Sequence, residues 1–170
     1  MTSLLEIRAA ARDDLAVLHP LIERAYRGDS ARKGWTHEAD LMSSARTDRA
    51  TLEAIVADPA SRLLVAERDG QMIGCVHVAD LGDARAYLGM LCVEPGLQGS
   101  GLGKRLIDAA EAIARETFHA AQIEMTVIEV RAELLAYYQR RGYAPTGEHR
   151  PFPVKTDPPL RLAVLVKPLD

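Results

Sequence analysis

The chain has 170 residues, with 21 basic and 24 acidic side chains well mixed, and its net charge of −3 leaves no broad basic surface for nucleic acid or an anionic membrane. This length fits one domain with a sizeable core, which we place over residues 1–170. The N-terminal segment is charged where a signal peptide needs an apolar core, and no apolar run reaches membrane-spanning length, so a cytoplasmic location is expected.

The spacing of apolar residues predicts seven strands. They are segments 4–9, 62–67, 72–78, 87–93, 123–128, 143–148 and 160–166. Asp69 and Gly70 lie between the second and third strands and indicate a hairpin turn, so these two strands should be antiparallel. Five prolines after residue 144 indicate a loop between the last two strands.

Helical spacing predicts the remaining elements. A helix begins near Asp13 or Asp14, and helical character recurs at 36–42 and 52–57. A further helix follows the fourth strand and ends near residue 118, and the last helix covers 131–141. The resulting order, β-α-α-β-β-β-α-β-α-β-β, predicts an α/β fold with a mixed sheet. Cys75 and Cys92 both lie in apolar strand-like segments, which favours small buried hydrophobes over a disulfide or a metal site.

A glycine-rich run joins a predicted strand to an amphipathic helix. It reads Gln98-Gly99-Ser100-Gly101-Leu102-Gly103-Lys104. Because glycine permits close backbone approach and a helix N-terminus favours negative charge, the run predicts a cradle for phosphate groups. A Walker A loop is excluded, since Gln98 replaces its first glycine and Arg105 its Ser or Thr; a dinucleotide fingerprint fails because only Leu102 separates the last two glycines. A plain glycine-rich helix start is the remaining alternative.

The pattern Gln-x-x-Gly-x-Gly in this setting resembles the acyl-CoA-binding loop of the GNAT acetyltransferase superfamily. Segment 134–143 is similar to the tyrosine helix of that family, whose aromatic residue stands four positions before a glycine, and this spacing selects Tyr138 rather than Tyr137. Without the glycine run, Tyr138 would be interpreted as a core aromatic. The motifs cover residues 87–143, and the resemblance implies a GNAT fold: a mixed sheet of about seven strands, helices on both faces, and two splayed parallel strands at the acyl-CoA site.

The resemblance also implies a chemistry and a coenzyme site. An acetyl group would pass from acetyl-CoA to a primary amine by direct attack, with the Leu91 N–H at the acyl carbonyl and Tyr138 as general acid. The implied coenzyme-binding residues are Leu91, Cys92, Val93, Gln98, Gly99, Ser100, Gly101, Leu102, Gly103, Lys104, Arg131 and Tyr138. Arg131 departs from the family, in which asparagine is common here, and a guanidinium could pair with a phosphate, a substrate carboxylate or a nearby glutamate. Gly89 is a candidate for the bulge that begins the separation of the strands.

The general base and the acceptor pocket are less determined. Glu124 and Glu129 are the catalytic candidates for accepting a proton, and His77 is a further one; each can equally be a surface or packing residue. For the acceptor we predict walls that include Trp35, Glu38 and Phe152, the last within a proline-stiffened lip at 150–153 that also carries a cation.

Three functions remain open at this stage. The first is an acetyl-CoA-dependent N-acetyltransferase acting on a small-molecule amine, and the second is a protein or peptide N-acetyltransferase. The third is a non-catalytic acyl-CoA-binding regulatory domain. No metal is expected, nor a nucleic-acid or membrane partner, while a homodimer is compatible with the sequence.

Overall fold

The structure is a computed structural model that describes residues 4–26, 47–97, 100–152 and 159–169. The elements follow the predicted order. They are β1 (Leu5–Ala9), α1 (Leu15–Tyr26), α2 (Arg49–Ala57), β2 (Ser61–Arg68), β3 (Gln71–Gly82), β4 (Arg85–Val93), α3 (Leu102–Glu116), β5 (Gln122–Ile128), α4 (Ala132–Gln139), β6 (Ala144–Pro151) and β7 (Arg161–Pro168). The helical character predicted at 36–42 lies outside the described residues.

All seven strands form one sheet in the order β1-β2-β3-β4-β5-β7-β6. Its neighbours pair antiparallel except β4 and β5, which are parallel because α3 crosses between them. The predicted mixed sheet is therefore confirmed, and so is the hairpin at Asp69 and Gly70, which joins β2 to β3.

Both faces of the sheet are covered by helices, as the resemblance implies. On β2 the side chains alternate: Leu64 and Ala66 join a core with α3 and α4, whereas Leu63 and Val65 join a second core with α1 and α2. We call these the α3/α4 face and the α1/α2 face. Among the described residues, no helix is long and apolar enough to cross a membrane.

The parallel pair β4 and β5 is joined over only three residue pairs, which end at Tyr87 opposite Glu124. Beyond that point the two strands separate, while β5 stays paired with β7 over its whole length. A bulge lies just past the separation, because Met90 and Leu91 of β4 oppose the single residue Val76 of β3. The sheet is thus open between β4 and β5, and we call the last paired position, Tyr87 with Glu124, the fork.

Gly89 was the predicted site of the bulge, but the structure places the bulge one residue later. Met90 takes the positive φ of 52°, which is uncommon for a residue with a side chain. Gly89 instead makes room for Tyr87, since a Cβ at Gly89 would lie 2.6 Å from the Tyr87 ring. The glycine is therefore explained by packing beside the bulge.

The predicted loop between the last two strands is too long. Pro145 and Pro151 lie inside β6, which forms the edge of the sheet. An edge strand tolerates proline because one side of its backbone pairs with no neighbour. The register shift between Pro145 and His149, with Gly147 at a φ of 87°, accommodates the irregular sequence.

Candidate active site

The glycine-rich run ends at the N-terminus of α3. Gly101 is the N-cap, and its φ of 85° is left-handed. Its carbonyl accepts from the Arg105 N–H at 3.2 Å, so the amides of the first turn point away from the helix without intrahelical partners. Such amides and the helix dipole favour an anion in general, and the phosphate cradle stays a prediction. Gln98 and Gly99 lie outside the described residues.

The first turn of α3 packs against α4 through Gly103. A Cβ at this position would lie 2.7 Å from the Tyr137 hydroxyl oxygen and 3.7 Å from the ring carbon that carries it. Arg141 holds that ring in place, with its guanidinium carbon 3.6 Å from the ring centroid and Nη1 donating to the Tyr137 carbonyl at 2.9 Å. Glycine at 103 thus has a packing reason in addition to the predicted close approach of a phosphate.

Residues on β4 form the wall beside the opening. Cys92 and Val93 are buried, and Leu91, the second residue of the bulge, is partly buried. The Leu91 carbonyl accepts a hydrogen bond from the Tyr26 hydroxyl at the end of α1, which fixes the peptide that follows the bulge. Cys92 on this wall and Cys75, opposite it on β3, are free, buried thiols.

Tyr138 is buried on the α3/α4 face, with the Tyr137 and Tyr143 rings against its own at centroid distances of 5.3 and 6.1 Å. Burial raises the pKa of Tyr138 above its ordinary value; Tyr137 and Tyr87 add to this effect, and the Arg131 cation opposes it. The phenol therefore keeps its proton at neutral pH. Arg131 caps the start of α4, close enough to act on the same phenol.

A charged cluster occupies the fork on the α1/α2 face. Glu124, only 4% exposed, lies 3.4 Å from Arg85 Nη1 and 2.9 Å from Arg150 Nη1. Arg85 comes from the start of β4, whereas Arg150 reaches over from the edge strand β6. We call Arg85, Glu124 and Arg150 the fork cluster.

His77 lies on the same face as the fork cluster. Its ladder partner is Gly89, and its ring meets the Tyr87 ring edge-on at 6.0 Å between centroids. His77 Nε2 is 3.1 Å from Ser61 Oγ, and burial lowers the pKa of His77 below its ordinary value. The imidazole is therefore neutral at neutral pH.

The remaining predicted site residues are dispersed. Glu129 lies past the end of β5, where it pairs with Arg161 at 2.9 Å and His149 at 3.4 Å. Phe152 is partly buried directly after β6, and Trp35 and Glu38 lie outside the described residues. Within the described ranges, no group of three or more His, Cys, Asp or Glu side chains is arranged to hold a metal ion.

Sequence reasoning missed Arg85 and Tyr87. Neither belongs to a motif, and both reach the site only because β4 pairs with β5 over its first residues and then separates from it. Arg150 could be found as the cation of the proline-stiffened lip, but its pairing with Glu124 depends on the strand order β5-β7-β6.

A family model described as the acetyltransferase (GNAT) family matches residues 21–143. The chain belongs to this family. The curated "IAA acetyltransferase" of Azospirillum brasilense is similar to it, with 31% identity over 101 residues; the match covers 57% of this chain and 63% of that relative. The acetyltransferase family is thus established from the sequence itself, over most of the chain.

Solved structures show the same GNAT fold. The ribosomal-protein-S18-alanine N-acetyltransferase of Escherichia coli is similar with a TM-score of 0.76 and 16% identity, covering 98% of this chain and 95% of that one. Salmonella typhimurium yncA, in a structure with its cofactor acetyl-CoA, gives 0.74 and 20% identity, with coverage of 99% and 95%. At these identities the likeness shows the fold alone.

The packing at Gly103 can be tested by stability. At an ordinary helical position Gly→Ala stabilises by about 0.5–1 kcal/mol, because glycine loses more backbone entropy on folding. In this GNAT domain we expect Gly103→Ala to give no such stabilisation. The new methyl group would clash with the Tyr137 hydroxyl, and the ring would have to move away from the guanidinium of Arg141. In a Tyr137→Phe background the obstructing oxygen is gone, and the gain should appear. Denaturant unfolding of the four proteins measures the coupling, and equal effects of Gly103→Ala in both backgrounds would contradict it.

Proposed function

We propose that this GNAT domain transfers an acetyl group from acetyl-CoA to the primary amine of a small molecule by direct attack. The observation that carries the proposal is the opening between β4 and β5, which begins at the fork. The chain passes from β4 to the N-terminus of α3, and Tyr138 lies close enough to Tyr87 of the fork to interact with it electrostatically. An opening in an otherwise paired sheet leaves backbone groups of β4 available to a ligand. Family membership supports the acetyl donor, and the opening supports direct transfer.

The described residues fit acetyl-CoA in two respects. The N-terminus of α3, with Gly101 as a left-handed cap, suits the pyrophosphate, and Ser100 and Lys104 lie exposed beside it. The edge of β4 that has separated from β5, at Leu91, Cys92 and Val93, suits the amide groups of the pantetheine arm. Bound acetyl-CoA supplies an activated thioester, and the amine supplies the nucleophile.

We assign three tasks to this chain. The backbone N–H of Leu91, in the bulge, donates to the acyl oxygen where negative charge develops. Tyr138, protonated because it is buried, donates its proton to the departing thiolate. Arg131 lies near this phenol and stabilises the tyrosinate that remains after the donation.

The amine must also lose a proton, and the three candidate acceptors differ in their partners. Glu124 is already paired with two arginines and Glu129 with Arg161, so both carboxylates have cations that compete with a substrate ammonium. His77 is neutral, contacts Ser61, and faces Gly89 beside the bulge. We therefore assign His77 as the proton acceptor, directly or through water, and Glu124 as the residue that positions the fork arginines.

Turnover with defined acceptors tests the function. The purified chain is incubated with acetyl-CoA and separate panels of small amines, amino acids and peptides with free N-termini, while thiol release and the mass of the acceptor are followed. We expect amine-dependent thiol release with acetylation of a small molecule. If only the peptides are acetylated, the acceptor is a polypeptide and not the proposed small molecule. Tight acetyl-CoA binding without transfer to any panel would favour a binding domain.

Tyr138→Phe separates a catalytic phenol from a packing one. We expect kcat to fall by about 100-fold or more, the lower range for a positioned acid, with acetyl-CoA affinity little changed. Tyr137→Phe is the matched variant, because it removes the neighbouring hydroxyl, which lies against Gly103. Steady-state kinetics and calorimetric titration give the two quantities. Equal kcat values for the two variants would reduce Tyr138 to a packing role.

His77 predicts an acid limit to activity. A base must be unprotonated, and because burial lowers the pKa of His77, kcat/KM should stay level down to about pH 6.5, the ordinary histidine value, and decline below it. His77→Gln should lower kcat at neutral pH and remove this acid limb. Glu124→Gln and Glu129→Gln should keep the limb. If one of these glutamine variants loses it instead, that glutamate is the proton acceptor.

A further inference from the structure

We propose that the acceptor carries a carboxylate as well as an amine, and that Arg85 and Arg150 bind this carboxylate at the fork. The inference rests on the proposed function and names the substrate class of the same site. Its starting point is the composition of the fork cluster, in which two guanidinium groups from separate strands meet one carboxylate.

The fork cluster has an excess of positive charge. Glu124 is buried, and one guanidinium would be enough to compensate it. The second leaves the cluster with a formal charge of +1. Glu148 also contacts Arg150, with Oε1 3.4 Å from Nε, but its side chain is 58% exposed, so water screens that pair.

Both arginines are placed to receive a ligand. Their side chains are 43% and 39% exposed, although the carboxylate between them is buried. Each contacts Glu124 through Nη1, and a guanidinium has five N–H donors on three nitrogens. Glu124 therefore holds one nitrogen of each guanidinium, and Arg150 Nε contacts Glu148, which leaves Nη2 of both arginines and Nε of Arg85 as donors for a ligand. Such paired, oriented donors match the two oxygens of a carboxylate.

The position of the fork cluster determines where the amine of an acceptor lies when its carboxylate is bound to the arginines. Glu124 is opposite Tyr87 at the last paired position of β4 and β5, and His77 contacts Tyr87 on the same face. A carboxylate on the arginines would therefore direct the amine toward His77 and the bulge, where Leu91 lies. The same excess charge repels a second ammonium group, so polyamines should be poor acceptors.

Paired acceptors that differ only in the carboxylate test the inference. Free amino acids are compared with their carboxamides, and the measured quantity is the ratio of kcat/KM for acid over amide. We expect the wild type to prefer the acid by about tenfold or more, the scale of a hydrogen bond between charged groups. A ratio near one, or better turnover of the amide or of a polyamine, overturns the proposal. An amino phosphonate added to the panel distinguishes recognition of a carboxylate from recognition of a phosphate-like group. Better turnover of the phosphonate than of the amino acid would also overturn the proposal.

Substitution of Arg150 locates the preference. Arg150→Gln should bring the ratio close to one by raising KM for the acid, with kcat and the amide parameters little changed, and Arg85→Gln should act in the same direction. Arg49→Gln is the matched control, because Arg49 is similarly exposed on α2 and pairs with Glu53 one turn away. If Arg49→Gln changes the acid-to-amide ratio equally, or if Arg150→Gln lowers kcat for both the acid and the amide, Arg150 has a structural role.

Two further measurements keep the outcome decisive. Loss of Arg150 leaves Glu124 with one partner, so the double variant Glu124→Gln, Arg150→Gln removes both charges together and should fold while also losing the preference. Calorimetric binding of N-acetyl amino acids, the reaction products, tests the arginines without turnover. If no amine is acetylated but these products bind in an Arg150-dependent manner, the transferase proposal fails and the carboxylate site stands; if they do not bind, the site is overturned.

Discussion

The separation of β4 from β5 is the constraint on which the candidate site depends. Three parallel residue pairs hold the strands together, and β5 then remains with β7 while β4 bends away at the bulge of Met90 and Leu91. A seven-stranded sheet with helices on both faces would otherwise be closed to ligands. Met90 has a strained, positive φ at the point where the backbone of β4 is no longer paired with β5.

The opening also joins two chemically different faces of the sheet. Tyr138 belongs to the apolar core on the α3/α4 face, where burial keeps the phenol protonated. The neutral His77 and the charged fork cluster lie on the α1/α2 face, where the two arginines of the cluster are partly exposed. The proposed proton donor on one side and the proposed acceptor-binding groups on the other suit a reaction in which donor and acceptor approach from opposite faces.

Local patterns predicted the elements well because their signals are local. Asp69 and Gly70 identify a hairpin wherever it packs, and the spacing of Tyr138 to Gly142 needs only one helix. The prolines of β6 were misinterpreted, since tolerance for proline depends on β6 being an edge strand. For the same reason the partners of Glu124 were not predictable: they require the strand order and register, which depend on the whole sheet.

A second buried glutamate clarifies why the fork cluster is unusual. Glu111, also 4% exposed, accepts from the Tyr143 hydroxyl and from Lys167 Nζ, both at 2.9 Å. There one cation balances one carboxylate, a neutral hydroxyl completes the hydrogen bonding, and Tyr143 is itself buried. A fold that needs only to satisfy a buried carboxylate can therefore do so without excess charge. At the fork one buried carboxylate has two partly exposed cations, of which Arg150 also contacts the exposed Glu148. The proposed acceptor carboxylate would account for the second cation without requiring it for folding.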